Sequence, residues 1–116
     1  MSTQLSKMHV RFIQTQKSFY LLSSADSKPR KLPLSHLYVK DNSSFYLINQ
    51  NTPMTQDQNL TITFKEPTPA LDRLDCDLKV HEIHKESEDY EDAVLFFHVD
   101  PESITQVLLL TIRDIR

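Results

Sequence analysis

The chain has 116 residues, 25 % of them charged and 39 % hydrophobic, with a formal net charge of -3. This is the balance of one globular domain. It excludes a strongly basic nucleic-acid binder and a highly charged disordered tail. No apolar run approaches the ~18 residues of a membrane span; the longest, Ala93 to Phe97, stops far short. Met1 to Lys17 lacks the apolar stretch of a secretory signal.

Glycine is absent, and the chain holds a single cysteine, Cys76. Without glycine there is no P-loop, no dinucleotide fingerprint and no nucleophile elbow, since each needs glycine at fixed positions. A lone cysteine makes no internal disulfide, so a reducing, cytoplasmic setting is the default.

In chain order, residues 1–8 read as a flexible N-terminal arm to one domain spanning 1–116. Val10, Phe12, Phe19 and Tyr20 bracket a first hairpin. The Pro-bearing stretches Ser27–Pro33 and Glu66–Pro69 read as loops. Leu37 and Val39 alternate with His36 and Tyr38, and Lys40-Asp41-Asn42-Ser43 is a turn. Phe45–Ile48 is apolar on both faces. Leu60, Ile62 and Phe64 alternate with Thr61, Thr63 and Lys65; Cys76, Leu78 and Val80 alternate with Asp77, Lys79 and His81. Ala93–Val99 resembles a central strand. Asp100-Pro101-Glu102-Ser103 carries helix-start residues. Ile104, Val107, Leu108, Ile112 and Ile115 then share a stripe of period 3.6. The expected fold is mainly β: an antiparallel barrel or sandwich of six or seven strands, followed by one C-terminal α-helix.

Isolated chemistry is sparse. His81 and His84 face opposite sides of a strand and make no zinc pattern. Cys76 lies on an apolar strand face, the setting of a core thiol. The acidic run Glu86 to Asp92 around Tyr90 reads as a solvated loop. Asn42-Ser43-Ser44 and Asn59-Leu60-Thr61 match glycosylation sequons, which carry no weight without a secretory signal.

Two clusters go further. Lys7-Met8-His9-Val10-Arg11 puts two cations four apart, and Asp41-Asn42-Ser43-Ser44-Phe45-Tyr46 follows thirty residues later. The pair resembles the ligand signature of the PilZ domain, R-x-x-x-R followed by D/N-x-S-x-x-G. Phe96 to Ile104 is similar to that family's junction between its last strand and terminal helix. The resemblance implies a six- or seven-stranded antiparallel barrel of split-barrel type with one C-terminal helix, and cyclic di-GMP as ligand. Lys7 and Arg11 would meet its phosphates and guanine face, and Asp41 and Ser43 a guanine edge. Lys7 replaces an arginine, losing the planar fork, and Tyr46 replaces the closing glycine.

The resemblance therefore implies a non-enzymatic receptor or adaptor of the cyclic di-GMP system, acting by protein contact, with weakened or lost ligand binding. It implies no resident cofactor. The alternative is a nucleotide-independent structural or assembly protein on a similar barrel. Leu109 and Leu110, beside the core stripe of the expected helix, offer a surface for a homodimer or another protein partner.

Overall fold

In the computed structural model, residues 3–23, 28–49, 54–55, 57–83 and 106–116 are described. They form one helix, α1 (Lys7–Thr15), and seven strands. The strands are β1 (Ser18–Ser23), β2 (Arg30–Pro33), β3 (Leu37–Asp41), β4 (Ser44–Asn49), β5 (Asn59–Phe64), β6 (Leu74–Ile83) and β7 (Gln106–Ile115). All pair antiparallel in one sheet of order β2-β1-β5-β6-β7-β4-β3.

That order forces a curl. The two edge strands, β2 and β3, are consecutive in the chain and joined only by the 3-10 turn Leu34–His36. Laid flat, seven strands would set the edges roughly 29 Å apart. The link from Pro33 to Leu37 reaches about 15 Å at most. The sheet therefore curls into a half-barrel, which brings the Pro33 end of β2 near the Leu37 start of β3.

The alternating strands behave as their patterns dictate. Leu60, Ile62 and Phe64 of β5 face inward with Cys76, Leu78 and Val80 of β6. The Phe19 and Phe64 rings meet at 6.3 Å between centroids, tilted by 48°. On the outer face, Thr61 lies opposite Asp77 and Thr63 opposite Asp75, and each hydroxyl donates to its carboxylate, at 2.9 and 2.6 Å. Every residue of β4 is buried, as an apolar run on both faces requires.

Glycine's usual duty falls to another residue. Asp57, just before β5, adopts φ 68, a conformation that Asp tolerates better than most side chains. Its N–H donates to the Val80 carbonyl at 2.8 Å, and its carboxylate meets Lys79 at 3.2 Å.

Four expectations are corrected. The helix stands before the sheet and not after it: residues 106–115 are β7, paired with β6 on one side and β4 on the other. A central strand is apolar on both faces, and a short run of that kind matches a helical stripe equally well. The neighbours decide: Leu108 and Leu110 are buried in the core and Leu109 is half-buried on the other face, so no terminal helix presents leucines to a partner. Second, Val10 and Phe12 belong to α1, not to a hairpin. Third, the N-terminal segment is no loose arm from Leu5 onward. Leu5 is buried, its N–H donates to the Asn42 carbonyl at 2.6 Å, and Lys7 and Met8 are helical. Fourth, Arg30–Pro33, within the first Pro-bearing stretch, is an edge strand, where proline at the end costs no ladder bond. Ala93–Val99, the Asp100–Ser103 helix start and the Glu86–Asp92 run lie outside the described residues.

Candidate functional site

The helix α1 joins the core of the half-barrel through Phe12 and Ile13. Ser6 caps it: its hydroxyl accepts from the His9 N–H at 3.2 Å, and the His9 Nδ1 accepts from the Ser6 N–H at 3.1 Å. Phe12 and Ile13 point into the core. At the other end Gln16 is buried and clasps the backbone of Glu66 through both amide atoms. Leu5 holds the opposite end on the β3–β4 turn.

This placement leaves Lys7 and Arg11, one helical turn apart, on the solvent side near Asn42. Together with Ser6, Val10 and Gln14 they wall a hollow of about 420 Å³. Neither cation has a hydrogen bond or an ion pair among the described residues. Arg11 also borders a second hollow of about 340 Å³, made of Met8, Phe12, Thr15 and the Thr68–Ala70 loop. One guanidinium thus separates a cationic recess from an apolar one.

The PilZ resemblance pairs Lys7 and Arg11 with Asp41 and Ser43. Asn42, between those two, is the turn residue that shares the cationic hollow. Asp41 is engaged in the turn itself. Its Oδ1 accepts from the Ser43 N–H at 2.8 Å, the Ser43 hydroxyl at 3.0 Å and the Ser44 hydroxyl at 2.8 Å. The Ser43 N–H, foremost, holds the Asp41 carboxyl below its ordinary value. Tyr46 is buried, with the Lys40 ammonium 5.4 Å from its ring centroid. Sequence reasoning missed Asn42, Gln14 and the Thr68–Ala70 wall. Placing Lys7 and Arg11 before a strand hid the helix, whose cap has His9 where Glu or Gln is usual.

A larger hollow, about 560 Å³, opens on the outer face between β1, β5, β6 and β7. Its charged side chains each have a partner: Arg113 donates to the neutral Asn59 at 2.6 Å, Asp77 accepts from Arg116 at 2.7 Å and Asp114 accepts from the Ile115 N–H at 3.0 Å. Asp77 and Asp114 both line it, so it does not suit an anion. Nearby, burial raises the Asp75 carboxyl, but hydrogen bonds from Arg73 and Thr63 and the charges of Arg73 and Arg116 outweigh it and hold it below its ordinary value. Cys76 is buried, and burial, with Asp75 and Asp77 beside it, pushes its thiol up to about 12. A thiol so protonated is no nucleophile at neutral pH. Among the described residues no group of three His, Cys, Asp or Glu side chains is placed to hold a metal; His84 lies outside them.

No protein-family model matches this chain, and no curated protein matches it in sequence. Solved structures match it in fold. A candidate pyridoxamine 5′-phosphate oxidase from Lactobacillus delbrueckii superposes with a TM-score of 0.73 at 13 % identity, over 99 % of this chain and 95 % of that one. The heme storage protein HutZ from Vibrio cholerae gives 0.60 at 13 % identity, over 97 % and 94 %. An FMN-binding protein from Syntrophomonas wolfei gives 0.58 at 12 % identity, over 90 % and 80 %. These likenesses overturn the PilZ resemblance, whose short motifs lie partly on a helix and partly in a self-satisfied turn. Cyclic di-GMP as ligand, the signalling role built on it and the cofactor-free reading are set aside with it. The chain shares the fold of these split-barrel proteins: seven antiparallel strands in a curled half-barrel with a single N-terminal helix among the described residues.

Proposed function

We propose that this chain is a binding protein for a planar ligand with an anionic arm, and that flavin mononucleotide is the ligand. The observation that carries the reading is the unpaired Lys7 and Arg11 at a hollow whose other flank is apolar. Two nearly full-length fold neighbours are named for ligands of this chemistry, FMN and heme. Fold alone does not transfer a ligand, so the residues must fit it. They do: a phosphate dianion suits Lys7 and Arg11, with Asn42 and Gln14 as further donors. The ring would lie toward Met8, Phe12 and Pro69. No His or Cys lines either hollow, which favours flavin over heme at this place.

Bound flavin would supply a two-electron redox ring. The role proposed for this chain's own residues is holding and not conversion, in keeping with the protonated, buried Cys76. The test is titration of the protein into flavin mononucleotide, read by quenching of flavin fluorescence, with hemin absorbance in parallel. Saturable quenching that weakens about 10- to 100-fold in Lys7→Ala and Arg11→Ala, the loss expected of a charge-assisted bond, supports the reading. Binding of hemin alone, or of flavin indifferent to both substitutions, overturns it.

A further inference from the structure

We infer that the first turn of α1 is an acid-sensitive latch, with His9 as the group that takes the proton. A capping box normally returns a Glu or Gln side-chain oxygen to the N-cap N–H. Here the acceptor is the imidazole Nδ1 of His9, 3.1 Å from the Ser6 nitrogen, while the Ser6 hydroxyl accepts from the His9 N–H at 3.2 Å. Glutamine keeps its acceptor at every pH. An imidazole accepts only while that nitrogen is bare, and histidines gain a second proton within ~pH 5–8. Protonation turns Nδ1 into a donor facing the Ser6 N–H, and the box opens.

Around the His9 ring, Lys7 and Arg11 stand two positions away on the helix and do not share its face, the first turn holds no acidic residue, and the helix N-terminus is itself positive. The β3–β4 turn, bonded to Leu5 through Asn42, brings Lys40 and Asp41, whose Oδ1 accepts from Ser43 and Ser44 while the carboxylate keeps its charge. The Thr68–Ala70 loop on the other flank has no titratable side chain. Glu66 sits at the far end of α1, where it accepts from the Lys17 N–H.

The latch holds something. Leu5, directly before the cap, is buried, and its N–H binds the Asn42 carbonyl. Opening the box frees Ser6 and loosens this anchor, so the N-terminal segment lifts from the β3–β4 turn while Phe12 and Ile13 stay in the core. The inference stands on hydrogen-bond geometry and is independent of what the neighbouring hollow binds.

The experiment is amide exchange by NMR on the whole chain at about pH 7.5 and about pH 5, corrected for intrinsic exchange, spanning the range of histidine protonation. The His9 and Val10 amides, which bond to Ser6, should lose about fivefold in protection at the lower pH, the scale of one lost cap. His9→Gln should keep its protection at both pH values, and His9→Ala should be low at both. Unchanged protection in the parent, or an equal loss in His9→Gln, overturns the latch. The ring nitrogen shifts of His9 give a second reading that needs no variant: a proton on Nδ1 at neutral pH overturns it too.

Discussion

Gln16 and Glu66, 50 positions apart, pair as if they were opposite residues of a sheet: the Gln16 amide nitrogen donates to the Glu66 carbonyl at 2.8 Å, and its oxygen accepts from the Glu66 N–H at 2.9 Å. Gln106 does the same for Met54, donating to its carbonyl at 3.0 Å and accepting from its N–H at 2.8 Å. Each glutamine supplies a ladder partner where the chain has left the sheet. Gln16→Ala leaves both backbone groups of Glu66 unpartnered. We expect it to destabilise the fold by ~1–3 kcal/mol in urea unfolding. A loss near zero would mean that water replaces the clasp without cost.

Acid should weaken the fold through Asp41 and Asp75. Both carboxyls lie below their ordinary 3.8 in the folded state, Asp41 through the Ser43 N–H foremost, Asp75 through Arg73 and Thr63 against its burial. A depressed carboxyl contributes stability above its unfolded value, and the contribution is lost as pH falls through the folded value. Stability should therefore drop below about pH 4. In Asp41→Asn part of that drop should vanish, measured as the urea midpoint against pH.

Alkali acts through Cys76 with the opposite sign. Its thiol, raised from 9.0 to about 12, contributes stability that is complete below 9.0 and is lost as pH climbs toward 12. At about pH 8 the folded protein should resist iodoacetamide and react fully once unfolded in urea. Rapid labelling of the native protein would show the strand opening locally.

The place of β7 is open to a direct test. Leu110 lies between Phe45 and Val80 in the sheet and is fully buried, whereas Leu109 is half-buried on the opposite face. Leu110→Ala should cost ~2–5 kcal/mol and Leu109→Ala distinctly less. Equal costs would contradict the alternation of a strand.

Much of the sheet was legible because a face in water writes its period into the chain. The Thr61–Thr63 and Asp75–Asp77 pairs stand outside while Ile62 and Cys76 stand inside, and the alternation follows. Where both faces are covered, that record is lost. Gln106–Ile115 carries leucines that favour a helix, and only its pairing with β4 and β6 makes it a strand. The helix α1 was hidden by its brevity and by His9 in a position where glutamate would have announced a cap. For the site, Lys7 and Arg11 stood out as cations four apart, but the wall that faces them arrives through the Leu5–Asn42 bond and the Thr68–Ala70 loop. No local pattern encodes contacts that distant.

The two edges of the half-barrel are also where a strand of another copy would add. Among the described residues β2 and β3 each present one side that no strand pairs, the template on which strands add into fibrils. Both are defended. β2 runs for four residues, carries Lys31 and ends at Pro33; β3 carries Lys40 and has an irregular register between Val39 and Asp41. Short length, lysine, proline and a register break are the features that deter strand addition. The rim that lets the sheet roll up is thus also the rim that resists growing into its neighbour.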